Sequence, residues 1–170
     1  MSISRQECLS RMLDSFSLSY DIYQEPDASW HQLMAAAAFF HSRDEKYVLV
    51  KRAQLWAVEN HDYAFFFSLA RLDGALWEDI YNFTVAAGLR QIHPHREHMC
   101  SYISLIILAD EVDSALVQII HRSRFEKSFR CSWHGWASLR VAVMDFTANA
   151  VVCNRCPSDF RQLMERFYHQ

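Results

Sequence analysis

The segment "QIHPHREHMC", residues 91–100, sets three histidines, a glutamate and a cysteine within ten residues. Neutral imidazoles bind zinc, copper, nickel or iron, so His93, His95 and His98 raise the question of a metal site. Backbone geometry divides them. Pro94 biases His93 toward an extended conformation, which sets His93 and His95 on one face and His98 on the other. A turn over 95–98 instead aligns His95 with His98 and drops His93. Further ligands have to come from elsewhere, and "VVCNRCPSDF" supplies a pair, Cys153-x-x-Cys156, at a strand end just before a helix. A helix N-terminus favours a thiolate there, as in redox dithiols. A composite zinc site of His95, His98, Cys153 and Cys156 is one expectation. The plainer one is a polar lead-in to a strand and two unrelated cysteines, because no recognised zinc spacing is completed. A thioredoxin-like motif would also open a βαβ unit with most of the fold downstream of it, whereas here one helix follows. Cys8, Cys100 and Cys131 stand alone and read as core thiols.

A second constellation joins Pro26-Asp27 to Asp44-Glu45-Lys46. It fits the short signature of PD-(D/E)-x-K nucleases, whose chemistry needs two carboxylates on Mg²⁺ and a lysine near the attacking water. The context fits less well, since the acidic-x-Lys element belongs in an apolar strand and "SRDEK" reads as a hairpin turn. A third, "HRSRFEKSFR" (121–130), interleaves Arg122, Arg124, Lys127 and Arg130 with Phe125 and Phe129, the mixture that single-stranded nucleic acid platforms use. Strand alternation separates the two sets: Phe125, Lys127 and Phe129 share one face, Arg124, Glu126, Ser128 and Arg130 the other. In "SWHGWAS" a turn at His134-Gly135 would expose Trp133 or Trp136 as a partner contact, although indoles packed over the core edge are the favoured expectation. Asp110 reads as the cap of a following helix. Glu59 and Asp62 read as solvated acids flanking a hairpin turn.

These residues need elements to position them. Ser4 and Glu7 form an S-x-x-E capping box ahead of Leu9, Met12, Leu13 and Phe16 at helical spacing. Strands follow at 18–23, 32–42, 46–59 and 63–71, with "RDE" and "NHD" as hairpin turns between antiparallel neighbours. Asp73 caps a helix that Gly88 should stop, with a staple from Leu72 to Trp77. The run from Met99 to Asp110 is apolar without alternation, as in a central strand covered on both faces. A second core helix carries Val112, Ala115, Leu116, Ile119 and Ile120. Three strands start from 124, turning near His134-Gly135 and Ala148-Asn149, and "PSDFRQLMERFYH" is an amphipathic helix. The expected fold is α+β, a single domain over 1–170 with a mostly antiparallel sheet and about four helices in the order αββββαβαβββα.

Bulk properties narrow the function. A chain of 170 residues with 51% hydrophobic and 22% charged residues is globular in composition. A formal charge of −3 gives no whole-surface attraction for nucleic acid or anionic membrane. The three glycines, Gly74, Gly88 and Gly135, cannot build a phosphate-cradling loop. Neither a G-x-S-x-G elbow nor an H-E-x-x-H helix occurs. Five cysteines behind an N-terminus without the order of a secretory signal suggest reduced thiols and a cytoplasmic protein. The expectation is a binding domain for a protein partner or for itself as a homodimer, without catalytic machinery or a cofactor. The alternatives are a magnesium-dependent nuclease using Asp27, Asp44 and Lys46, and a zinc domain built on the His and Cys clusters. None of the motifs is specific enough to assign a family.

Overall fold

The computed structural model describes residues 3–25, 27, 29–40, 60–94 and 100–169. The expected strand at 46–59 lies outside the described residues. In chain order the elements are α1 (Arg5–Phe16), β1 (Asp21–Tyr23), β2 (Met34–Phe40), β3 (Asn60–Leu72), α2 (Gly74–Gln91) and β4 (Cys100–Val112), followed by α3 (Leu116–Arg122), β5 (Glu126–Ser128), β6 (Trp136–Asp145), β7 (Ala150–Cys153) and α4 (Ser158–His169).

The seven strands form one mixed sheet in the order β1-β2-β3-β4-β6, with β5 and β7 both beside β6. The expectation of a mostly antiparallel sheet is corrected at its centre. β1, β2 and β3 are antiparallel neighbours, but β4 runs parallel to both β3 and β6 along nearly its whole length. A helix stands between each of these consecutive pairs and returns the chain to the same end, which hairpin turns cannot do. Both crossovers step the same way along the sheet, so the right-handed rule sends their helices to the same face. α2 and α3 indeed share one face, against Phe65, Phe67, Leu105, Ile107, Leu139 and Val141. α1 and α4 cover the opposite face, on Ala64, Phe66, Ile106, Leu108, Ala142 and Met144. The result is a three-layer α+β domain.

Local signals explain the helix ends. Ser4 Oγ accepts from the Glu7 N–H at 3.2 Å, while the Glu7 carboxylate bonds Arg11 one turn on rather than closing the capping box. Asp73 Oδ1 accepts from the Leu76 N–H at 2.9 Å, and Leu72 and Trp77 are buried in the same cluster. Gly88 does not stop α2, which runs on to Gln91. Its lack of a side chain serves packing: a Cβ there would stand 2.7 Å from three atoms of Ile103 on β4. Asp110 is not a helix cap but part of β4, where Arg5 reaches it at 2.8 Å. The turn before α3 is made instead by Asp113, whose Oδ1 accepts from the Ala115 N–H.

The edge of β6 has a gap. β5 pairs with residues 136–138 and β7 with 142–145, leaving Leu139 to Val141 between them. Asn154 fills it: its Oδ1 accepts from the Val141 N–H at 2.9 Å and its Nδ2 donates to the Leu139 carbonyl at 3.2 Å. The side-chain amide thus stands in for a peptide, and satisfies backbone groups that burial would otherwise leave costly.

Candidate functional site

Three places in this fold concentrate chemistry. The first is a buried polar cluster on the face covered by α1 and α4. Arg140 sits mid-β6 at 1% exposure, and Asp62, on β3, is at 6%. Two strand spacings separate β3 from β6, about 9–10 Å. The arginine spans them because the residue it crosses on β4 is small: Ser104 pairs with Arg140 across the strands. The guanidinium Nη2 donates to Asp62 Oδ2 at 2.5 Å and to Ser104 Oγ at 2.7 Å. Ser104 Oγ in turn donates to Asp62 Oδ1 at 2.8 Å, and Tyr20 Oη donates to Asp62 Oδ2 at 2.8 Å. The Arg140 guanidinium carbon lies 4.2 Å from the Tyr102 ring centroid and 4.7 Å from that of Phe160, so π faces supplement the ion pair. Burial and the neighbouring Asp62 carboxylate push the Tyr20 phenol up, keeping it a hydrogen-bond donor.

This cluster corrects the reading of Asp62 as a solvated turn acid. The strand begins at Asn60 rather than after "NHD", so the carboxylate points between sheet and helices. Arg140 carries a local sequence signal of burial. An arginine inside "SLRVAVMD", an apolar strand with neighbours on both sides, has to find a buried partner. Tyr20 and Ser104 have no such signal, because their role depends on strand register.

The second place is the cysteine pair. Cys153 ends β7, buried at 3% exposure, and Cys156 is half-buried three residues on. Between them the Cys156 N–H donates to the Asn154 carbonyl at 2.8 Å, a tight reversal of the chain between the two cysteines. The bond from Cys153, together with the positive charges of Arg161 and Arg140, pulls the Cys156 thiol down to about 7. Cys153, donating that bond and buried, is pushed the other way.

The third place is the turn from β5 into β6. Arg130, Cys131 and Ser132 have φ of 46°, 53° and 70°, followed by Gly135 at 80°. Three successive L-residues in the left-handed region cost roughly 1–2 kcal/mol each. The turn is held by the Phe129 N–H to the Gly135 carbonyl at 2.9 Å and the His134 N–H to the Phe129 carbonyl at 3.2 Å. Phe125 and Phe129 anchor it by packing on the α2/α3 core, as strand alternation predicts. At its tip Trp133 is 83% exposed. Trp136, at the start of β6, packs edge-on against Tyr102 with centroids 5.7 Å apart.

The remaining candidates divide. His95 and His98 lie outside the described residues, and so do Asp44 and Lys46; His93 is described and exposed. Asp27 is in the loop between β1 and β2. Its Oδ1 accepts from the Ser29 N–H at 2.7 Å and the Ser29 hydroxyl at 2.5 Å, and these bonds lower its pKa. Among the described residues no group of three or more His, Cys, Asp or Glu side chains is arranged to hold a metal ion. Another histidine is built into the structure. His31 Nδ1 faces the Leu33 N–H at 3.1 Å and Nε2 faces Asp79 at 2.8 Å, with Phe67 and Phe83 edge-on to the ring.

Fold and sites together define a three-layer α+β domain with a charged cluster inside its mixed sheet. The chain belongs to the family described as Domain of unknown function (DUF8052), whose model matches residues 4–166. No curated protein and no solved structure matches it.

Proposed function

We propose that this protein is a non-catalytic binding domain whose contact surface is the β5–β6 turn, and that it takes a partner protein with an acidic, apolar-centred surface. The observation that carries the reading is Trp133, exposed on a strained turn with a defined hydrogen-bond frame. An indole in water on a rigid support loses little conformational freedom on binding, and tryptophan is enriched among residues that dominate interfaces. The surroundings set the sign of the partner. Arg122, Arg124, Lys127 and Arg130 lie in the segment 122–136, whose only acid is Glu126, in a chain of net charge −3. Glu126 is engaged by Arg124 at 2.9 Å. Two copies meeting symmetrically through this edge would set these cations against themselves, which disfavours an isologous dimer here.

Support also comes from the buried charged pair, Asp62 and Arg140, which face inward and engage each other. Among the described residues no helix is long and apolar enough to cross a membrane. The test uses two probes of equal charge, a peptide of alternating Glu and Leu and a single-stranded oligodeoxynucleotide, with tryptophan emission as the readout. Peptide binding that blue-shifts the emission, and is lost in Trp133→Ala, is the expected result. Binding of the oligonucleotide alone, or peptide binding unchanged by Trp133→Ala, overturns it.

A further inference from the structure

We propose that Cys153 and Cys156 are a thiol–disulfide exchange pair, Cys156 the attacking sulfur and Cys153 the resolving one, oxidised by a low-molecular-weight disulfide. The inference is independent of the binding surface. It rests on four structural observations. The two cysteines flank a tight reversal closed by the Cys156 N–H to the Asn154 carbonyl at 2.8 Å, and the Cys153 thiol is the strongest influence on that of Cys156. Asn154 is itself pinned into the β6 edge by three side-chain bonds, to Val141, Leu139 and Ser123, so the reversal is rigid. Exposure is unequal: Cys156 is half-buried, while Cys153 sits in the core beside Ala142. Only the first can meet an oxidant. Finally, Cys156 directly precedes Pro157 and the first turn of α4, and Arg161 in that turn adds positive charge. This is the kind of environment that stabilises a thiolate.

The other three cysteines lack this combination. Cys8 and Cys100 are buried, each pushed up to about 11 by burial, and Cys131 is exposed with no second thiol beside it in sequence. The exchange balances without further reagents. The Cys156 thiolate attacks one sulfur of R–S–S–R, forming a mixed disulfide and releasing R–S⁻. Cys153 then gives up its proton and attacks the Cys156 sulfur, releasing the second R–S⁻. Two protein thiols are oxidised, one disulfide is reduced, and the two protons end on the released thiols. A Cys156 thiol titrating near 7 attacks at neutral pH, since the optimum thiol has its pKa near ambient pH.

The experiment treats the full chain with glutathione disulfide, quenches with iodoacetamide and digests with trypsin. Arg155 lies between the cysteines, so cleavage leaves each in its own peptide and only a disulfide keeps them together. The expected product is the linked pair of peptides 141–155 and 156–161, two hydrogens lighter than the sum of the reduced peptides. In Cys153→Ser a glutathionyl adduct should instead accumulate on Cys156. Because that substitution enters the core, wild-type protein supplies a second measurement. Native-state alkylation of Cys156 should rise about tenfold from pH 6 to a plateau above pH 8, with its midpoint near 7. A midpoint near 9, or a stable Cys156 adduct in wild type with no linked peptides, overturns the proposal. So does modification confined to the exposed Cys131.

Discussion

The two faces of the central sheet are made by the same three strands and differ in where they hold charge. Under α2 and α3, β3 places Tyr63, Phe65, Phe67 and Leu69, β4 places Ile103, Leu105 and Ile107, and β6 places Leu139, Val141 and Val143, all apolar. Under α1 and α4, the same strands carry a polar cluster, Asp62, Ser104 and Arg140, ahead of apolar Phe66, Ile106, Leu108 and Met144. Alternation makes this possible, because neighbouring residues of a strand answer to different surroundings. The first face is mainly packing, with only isolated polar groups such as Ser101 and Thr84 among its buried residues. The other is committed to register: Arg140 reaches Asp62 only if β3, β4 and β6 are aligned so that Ser104 leaves the path open. We read the ion pair as a device that specifies alignment, the best-attested use of a buried charge.

The sharpest way to break this contrast is to remove one charge. Arg140→Met leaves Asp62 buried without its cation and should destabilise by about 3–5 kcal/mol in a urea titration. Phe67→Ala on the opposite face should cost a similar amount, about 3–5 kcal/mol, by leaving a cavity. A second substitution separates the two mechanisms. Asp62→Leu added to Arg140→Met should restore most of the loss, whereas it should add to the loss from Phe67→Ala. Strict additivity with Arg140→Met would end the register reading.

Asn154→Ala comes next. It strips the Val141 N–H and the Leu139 carbonyl of their side-chain partners. The expected cost is about 1–3 kcal/mol, with faster amide exchange at Val141 as its local signature. Protection at Val141 unchanged from wild type would show that β5 and β7 close the edge without it.

The smallest effect is expected at Trp133. An exposed side chain supports nothing beneath it, so Trp133→Ala should change stability by no more than about 0.5 kcal/mol. A loss several times larger would mean that the indole holds the left-handed turn together rather than waiting for a partner.

Much of this architecture was legible beforehand. The capping residues Ser4 and Asp73, the doubly covered strand after Met99, and the anchoring of Phe125 and Phe129 follow from periodicity and turn chemistry, which are local, whereas the exposure of Trp133 is not the favoured reading of "SWHGWAS". The candidate sites were less legible. The cysteine pair was visible as a spacing, but not the difference in burial that distinguishes its two sulfurs. Polar neighbours in "NHD" make Asp62 look like a turn residue, and only strand pairing shows that the chain is already extended there.

The sequence by itself indicated most of the helices and strands, because hydrophobic period and end signals act over a few residues, but it did not show that Asp62 is buried or that Asp110 and Val112 belong to β4. The tertiary structure alone decided that the sheet is parallel at its centre, that Gly88 yields to Ile103, and that an arginine crosses one strand to meet an aspartate on the next. Each of these depends on strand order and register, which arise between segments far apart in the chain.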